Sequence, residues 1–286
     1  MLEQAREAFA ATALPAMTAP RLHIEVDGAG PTIVFAHGFG GSARNFRAQA
    51  RGLKARFRIV RFDARGHARS DAPDAAAAYR PEAFVDDVAR VLDAVGATTA
   101  VIGGLSMGAG IALRFALAYP QRTRALVLAA FPAGAGAAGS LGASARAFAD
   151  AIDEVGLEAA GARFVWGPDS GLDSPAAALI RQGFLEHSPR ALAHTLREVI
   201  AVQPSIADIG DAVRAIACPA LVVVGDRDRL SQAPSALLAH TLPRARLVTI
   251  ADAGHLVNVA QPAAFNAAVA DFVGALPEMP PLRAGR

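Results

Sequence analysis

Hydrophobic positions along the chain fall into short blocks separated by longer periodic ones. Residues 21–28 (RLHIEVDG) alternate apolar and polar side chains and run into the turn DGAG. Six more short runs follow: TIVFAHG ending at Gly38, FRIVRFDARG ending at Gly66, TTAVIGGLS at 98–106, RALVLAA at 124–130, PALVVVGD at 219–226 and ARLVTIAD at 245–252. Continuous apolar runs rich in β-branched residues predict strands covered on both faces, as in parallel sheets. Between them lie helical patterns. In residues 81–96, Pro81 opens a helix, Phe84, Val85, Val88, Val91, Leu92 and Val95 share one face, and Gly96 closes it. Residues 107–119 and 260–275 read as two further helices. Strand–helix alternation implies right-handed crossovers and a doubly wound, mostly parallel α/β sheet.

One stretch departs from the alternation. Residues 132–215 hold no convincing strand and several Ala-rich helical patterns around Phe148, Phe164, Trp166 and Phe184. This predicts a helical cap at 132–215, inserted into a core made of 21–131 and 216–276. The glycine-rich entry to the insertion (132–144) is expected to be mobile, and 1–20 and 277–286 read as loosely held tails. No internal repeat is visible.

Composition narrows the classes. Of 286 residues 53% are hydrophobic and 19% charged, with mean hydropathy +0.30, so disorder is excluded. No apolar run reaches the roughly 18–20 residues needed to cross a bilayer, and Glu3 and Glu7 sit where a signal peptide needs a basic start. A cytoplasmic protein is expected. The isoelectric point of about 9.2 suggests a basic surface, yet the formal charge is only +2 and the arginines are scattered. Nucleic-acid binding requires them clustered, so no nucleic-acid or membrane partner is expected; homo-oligomerisation is left open. The single cysteine, Cys218, makes neither an internal disulfide nor a CxxC pair and reads as a buried filler.

The sharpest chemical signal is Gly104-Leu105-Ser106-Met107-Gly108, a G-x-S-x-G placed where a strand meets a helix. A tight strand–turn–helix there exposes the serine Oγ, and the helix N-terminus behind it favours negative charge. A serine hydroxyl needs a base. His255 is the histidine downstream of Ser106 that lies just beyond a strand, whereas His187, His194 and His240 fall in helical segments. Asp226 and Asp228 both lie at the carboxyl end of the strand 219–225, and all these loops emerge at the edge where parallel sheets place ligands. Oxyanion donors are expected from the amide of Met107 and, in the loop His37-Gly38-Phe39-Gly40-Gly41, from that of Phe39. GGLSMG lacks the spacing of a dinucleotide-binding loop, and no metal or cofactor is expected.

HGFGGSARNF, FDARGHARSD, GGLSMGAGIALRFALAYP, GDRD and AGHL together resemble the α/β-hydrolase family, over about 21–131 and 216–276. The nearest flavour is its small cofactor-free esterase, enol-lactonase and haloperoxidase-like members. The resemblance implies Asp228 as the acid, with Asp226 as fallback. It also implies a structural role for Asp63 and Arg65. Ala68 stands where such proteins often carry glycine, and Ser106 argues against the branches that use aspartate as nucleophile. The expected activity is that of a serine hydrolase (a carboxylic ester hydrolase) acting on a small, fairly hydrophobic ester, thioester or lactone through an acyl-enzyme on Ser106. Phe148, Phe164, Trp166 and Phe184 are candidate pocket residues. Two alternatives stay open: a C–C bond hydrolase or perhydrolase using the same three residues, and, more remotely, a non-catalytic ligand-binding protein.

Overall fold

The structure is a computed structural model that describes residues 19–135, 141–167 and 174–277. Nearly all of the expected N-terminal tail, all but the first residue of the C-terminal one, and residues 136–140 of the glycine-rich entry lie outside the described residues. Strands form at β1 (Ile24–Asp27), β2 (Thr32–Ala36), β3 (Arg58–Phe62), β4 (Ala100–Leu105), β5 (Thr123–Ala129), β6 (Ala220–Gly225) and β7 (Ala245–Ile250). They make one sheet in the order β1-β3-β2-β4-β5-β6-β7. Only β1 runs antiparallel to its neighbour; every other pairing is parallel.

Side chains alternate across a strand, so each run feeds two layers. Val34, Val60, Ile102, Leu126 and Val222 face one way, toward helices α2 (Pro81–Ala94) and α3 (Met107–Ala118). Ile33, Phe35, Ile59, Val101, Val127 and Val223 face the other, toward α1 (Arg47–Leu53) and the last helix, Pro262–Gly274. Most of these side chains are completely buried, each stabilising by about 1.5–3 kcal/mol relative to exposure. The two-sided burial expected of most of these runs fails at β7. It is an edge strand, and Arg246, Leu247 and Thr249 on it are exposed. Cys218, just before β6, is half-buried, and burial pushes its thiol up to about 11.

Between β5 and β6 the described residues contain helices and no strand. These are Leu141–Phe164, interrupted at Gly156 (φ 78°, ψ 173°), Ser174–Leu185, Pro189–Thr195 with a π-type turn on to Ile200, and Gly210–Arg214. The insertion has its own apolar cluster, including Phe148, Ile152, Phe184, Leu192 and Leu196. It is tied to the loops above the sheet by Arg44 with Glu186 (2.6 Å) and Arg190 with Asp74 (2.7 Å).

Candidate active site

Because β2, β4, β5, β6 and β7 are parallel, the loops that follow them all leave the same edge of the sheet. Ser106 is the first residue after β4. Its backbone lies at φ 55°, ψ −114°, a conformation that costs a non-glycine residue about 1–3 kcal/mol. Three hydrogen bonds hold it there. Its N–H donates to the Ala129 carbonyl (2.9 Å), and its own carbonyl accepts from Ala109 and Gly110 (2.9 and 3.1 Å), which starts α3. The flanking glycines are required by contact: a Cβ on Gly104 would lie 2.1 Å from the Gly108 backbone, and one on Gly108 would lie 2.0 Å from the Ala36 carbonyl oxygen. The strand, the turn and the helix therefore close on one another only without side chains at 104 and 108.

Asp228 and His255 come together from the loops after β6 and β7. Asp228 is 5% exposed, and the His255 Nδ1–H donates to its Oδ2 at 2.9 Å. The Ser231 N–H donates to the other carboxylate oxygen (3.2 Å), and the Ser231 hydroxyl lies 3.3 Å from the same ring nitrogen. Burial works to raise the Asp228 pKa. The His255 hydrogen bond and charge and the Ser231 contacts outweigh it, so the carboxyl is held below its ordinary range. Asp226 is placed differently. It is exposed, and its carboxylate accepts the Ala253 N–H (3.2 Å), bracing the loop that leads to His255. With Nδ1 donating to Asp228, the lone pair of His255 is on Nε2.

The loop after β2 closes as a β-turn, Gly41 N–H to Gly38 carbonyl (3.0 Å), with Gly40 at φ +65°. The turn's own bond leaves the Phe39 amide unused, and Gly38 packs against Leu105 and Ser106. Met107 is buried in the first turn of α3. His37 is buried beneath the loop. Its Nε2 accepts the Ala64 N–H (2.9 Å), so the proton is on Nδ1 and is donated to the Gly38 carbonyl (2.7 Å). Burial is the main reason the His37 pKa falls to about 4, which keeps the ring neutral.

Of the four cap aromatics, Phe148 and Phe184 are buried and stack on each other (6.0 Å between centroids), while Phe164 and Trp166 are half-buried. Phe164 stacks on Phe148 at 4.7 Å and Trp166 meets Phe184 edge-on at 5.6 Å. Phe39 meets both Phe148 (5.8 Å) and Phe184 (6.1 Å), so the aromatic cluster reaches the loop after β2. Asp63 accepts from Ala43 and Arg69, and Arg65 forms a two-pronged pair with Asp87, holding loops near the site.

Ser231 escaped the sequence reading, although a polar residue three positions after an aspartate is a turn signal. So did the reciprocal amide pair of Gln49 and Asn258. Gln49 Nε2 donates to the Asn258 carbonyl (2.9 Å) and Asn258 Nδ2 donates to Gln49 Oε1 (3.1 Å), fixing the segment after His255 to α1. No motif announces that pair, since its members are 209 residues apart. Among the described residues no group of three His, Cys, Asp or Glu side chains is arranged to hold a metal, and no helix is long and apolar enough to cross a membrane.

The alpha/beta hydrolase family pattern matches residues 33–268, and the chain belongs to that family. It is similar to a putative 2-succinyl-6-hydroxy-2,4-cyclohexadiene-1-carboxylate synthase of Bacillus subtilis, 30% identical over 253 residues, covering 86% of this chain and 91% of the relative. Among solved structures it is similar to a thermophilic esterase from Thermogutta terrifontis, with a TM-score of 0.80, 28% identity, and coverage of 90% of this chain and 94% of the other. It is also similar to an enol-lactonase from Burkholderia xenovorans, with a TM-score of 0.79, 26% identity, and coverage of 91% and 99%.

Proposed function

We propose that the protein is a serine hydrolase that cleaves small, fairly hydrophobic carboxylic esters, thioesters or lactones through an acyl-enzyme on Ser106. The carrying observation is the strained Ser106 turn at the same sheet edge as the Asp228–His255 pair. Ser106 Oγ attacks the acyl carbon while His255 Nε2 takes its proton. The proton then passes to the leaving oxygen or sulfur, and the acyl group stays on Ser106. A water, deprotonated by the same nitrogen, attacks the acyl-enzyme, and the proton returns to Ser106 Oγ as the acid is released. Asp228 keeps the imidazole in the Nδ1–H form and stabilises the imidazolium. The amides of Phe39 and Met107 receive the negative oxygen of each tetrahedral intermediate.

The choice of acyl substrate draws on two things: the aromatic surface made by Phe39, Phe148 and Phe164, and the similarity to an esterase and an enol-lactonase. A second reading, hydrolysis of a C–C bond by the same serine and histidine, is favoured by the similarity to a carboxylate synthase over most of the chain. A panel of acetyl to octanoyl esters, a thioester, small lactones and a vinylogous diketone separates them. Ester or lactone turnover well above the diketone supports the proposal; turnover of the diketone alone contradicts it.

A further inference from the structure

The corner of the cap at 184–187 meets the loop after β2 at three points. Phe184 lies on Gly40, where an added Cβ would come within 2.6 Å of its ring. Glu186 pairs with Arg44 at 2.6 Å. His187, 6% exposed, places Nε2 2.9 Å from the Gly41 carbonyl and Nδ1 3.1 Å from the Phe184 carbonyl. A neutral imidazole has one proton for these two acceptors. The Nε2 contact is the shorter, and the Phe184 oxygen already takes the His187 backbone N–H (3.3 Å), so the ring proton is assigned to Nε2, donated to Gly41. Beneath His187 lies His67, wholly buried at 5.3 Å between ring centroids, and beyond that His37 at 5.0 Å. His37 donates to the Gly38 carbonyl. The two carbonyls that bound the Gly38–Gly41 turn are thus held by two imidazoles, one from the core and one from the cap, with His67 packed between them.

We propose that His187 is a positioning residue: its hydrogen bond to Gly41 sets the turn that presents the Phe39 amide, so the oxyanion site is complete only when the 184–187 corner of the cap is seated. The inference rests on the Phe39 assignment made above. A turn released at one end would displace the amide by a fraction of an ångström to an ångström. A donor displaced that far loses much of its effect on the transition state while substrate affinity changes little. The cap then contributes to the catalytic electrostatics through the Gly38–Gly41 turn that it holds.

His187→Phe keeps the ring volume and removes the donor; His187→Gln restores a donor close to the Nε2 position. Arg190→Ala breaks the other cap-to-core ion pair, away from the turn. With p-nitrophenyl butyrate, His187→Phe should lower kcat at least about tenfold with KM within about twofold. His187→Gln should recover most of that loss, and Arg190→Ala should stay close to native. Hydrogen exchange of the 38–45 amides should quicken in His187→Phe and not in Arg190→Ala. A native kcat in His187→Phe, a His187→Gln variant no better than it, or an equal loss in Arg190→Ala overturns the proposal. Should His187→Phe not fold, His187→Asn, too short to reach Gly41, takes its place with the same expectations. If Ser106 proves not to be the nucleophile, the exchange measurement decides alone: faster exchange confined to the His187 variants supports the positioning role, and unchanged exchange removes it.

Discussion

The sheet edge and the cap hold their side chains by different means. At the edge, the backbone does the placing. Ser106 is fixed by two strands and a helix that close only over Gly104 and Gly108, and Asp228 and His255 sit on short loops after neighbouring strands. In the cap, placement comes from packing and from pairs formed with the core: Phe148 against Phe184, Arg44 with Glu186, His187 with Gly41. Backbone placement leaves a local signature, because a glycine two residues either side of a serine is a short-range pattern. Packing leaves none, since the partners are far apart in sequence. The sheet edge therefore holds its candidate catalytic groups on backbone-fixed positions, and the insertion meets that edge through side-chain contacts.

The largest effect that would break this contrast concerns the two aspartates. Asp228→Asn should reduce ester turnover on the order of 10³–10⁴-fold, since an amide cannot stabilise the imidazolium. Asp226→Asn should lose no more than several-fold, because it braces the Ala253 backbone and does not touch His255. Steady-state kinetics on both variants checks this, and the reverse ranking would move the acid to Asp226.

Next in size is the division within the cap. Phe184→Ala and Phe148→Ala empty a packed cluster and should destabilise by about 3–5 kcal/mol, read as a lower urea midpoint. Half-buried Phe164 and Trp166 should lose less stability on truncation to alanine and instead shift the preferred acyl length between acetyl and octanoyl esters. If all four variants keep that preference, the core loops select the substrate and the cap does not.

The buried imidazoles give a third test. Burial depresses the pKa of His37 to about 4 and pushes that of His67 well below its ordinary value. Both stay neutral in the fold, while in the unfolded chain they take up protons near pH 6.5. The unfolded state thus binds more protons as pH falls, so the stability they contribute is present above about pH 6.5 and is lost toward pH 4. For His37 alone the loss is roughly 3 kcal/mol. Asp63 nearby favours its protonation and His187 opposes it. Urea midpoints measured from pH 7.5 to 4.5 should fall steadily, and His67→Gln should flatten the slope; a flat native profile would show that the cluster does not titrate this way.

The smallest expected effect is at Ala68, which sits at φ 44°, a left-handed conformation that favours glycine. Ala68→Gly should relieve left-handed strain and raise stability by about 0.5–1 kcal/mol. A lower melting temperature would mean that the alanine methyl packs to more effect than its backbone strain.

All seven strands were legible in the chain, because a run such as PALVVVGD leaves few other ways to bury its side chains. The exposure of β7 was not, since Leu247 and Val248 look alike until a strand is known to be last in the sheet. The strand–turn–helix at Ser106 and the family were equally plain. The choice between Asp226 and Asp228 was open from spacing alone; in the fold it is the Asp228 carboxylate that accepts a hydrogen bond from His255 Nδ1, and Asp226 that accepts one from the Ala253 backbone. The histidines teach the opposite lesson. His37, His67 and His187 come from three separate segments, and only the folded chain shows their rings in contact, one against the next.

The central claim, that Ser106 is the nucleophile, is tested most directly by covalent labelling. A fluorophosphonate probe should add one group to the native protein, located at Ser106 by peptide mass mapping. Ser106→Ala should take up none, keep the native melting curve, and lose ester turnover on the order of 10³-fold or more. Labelling at another residue, or native ester turnover by Ser106→Ala, would contradict it.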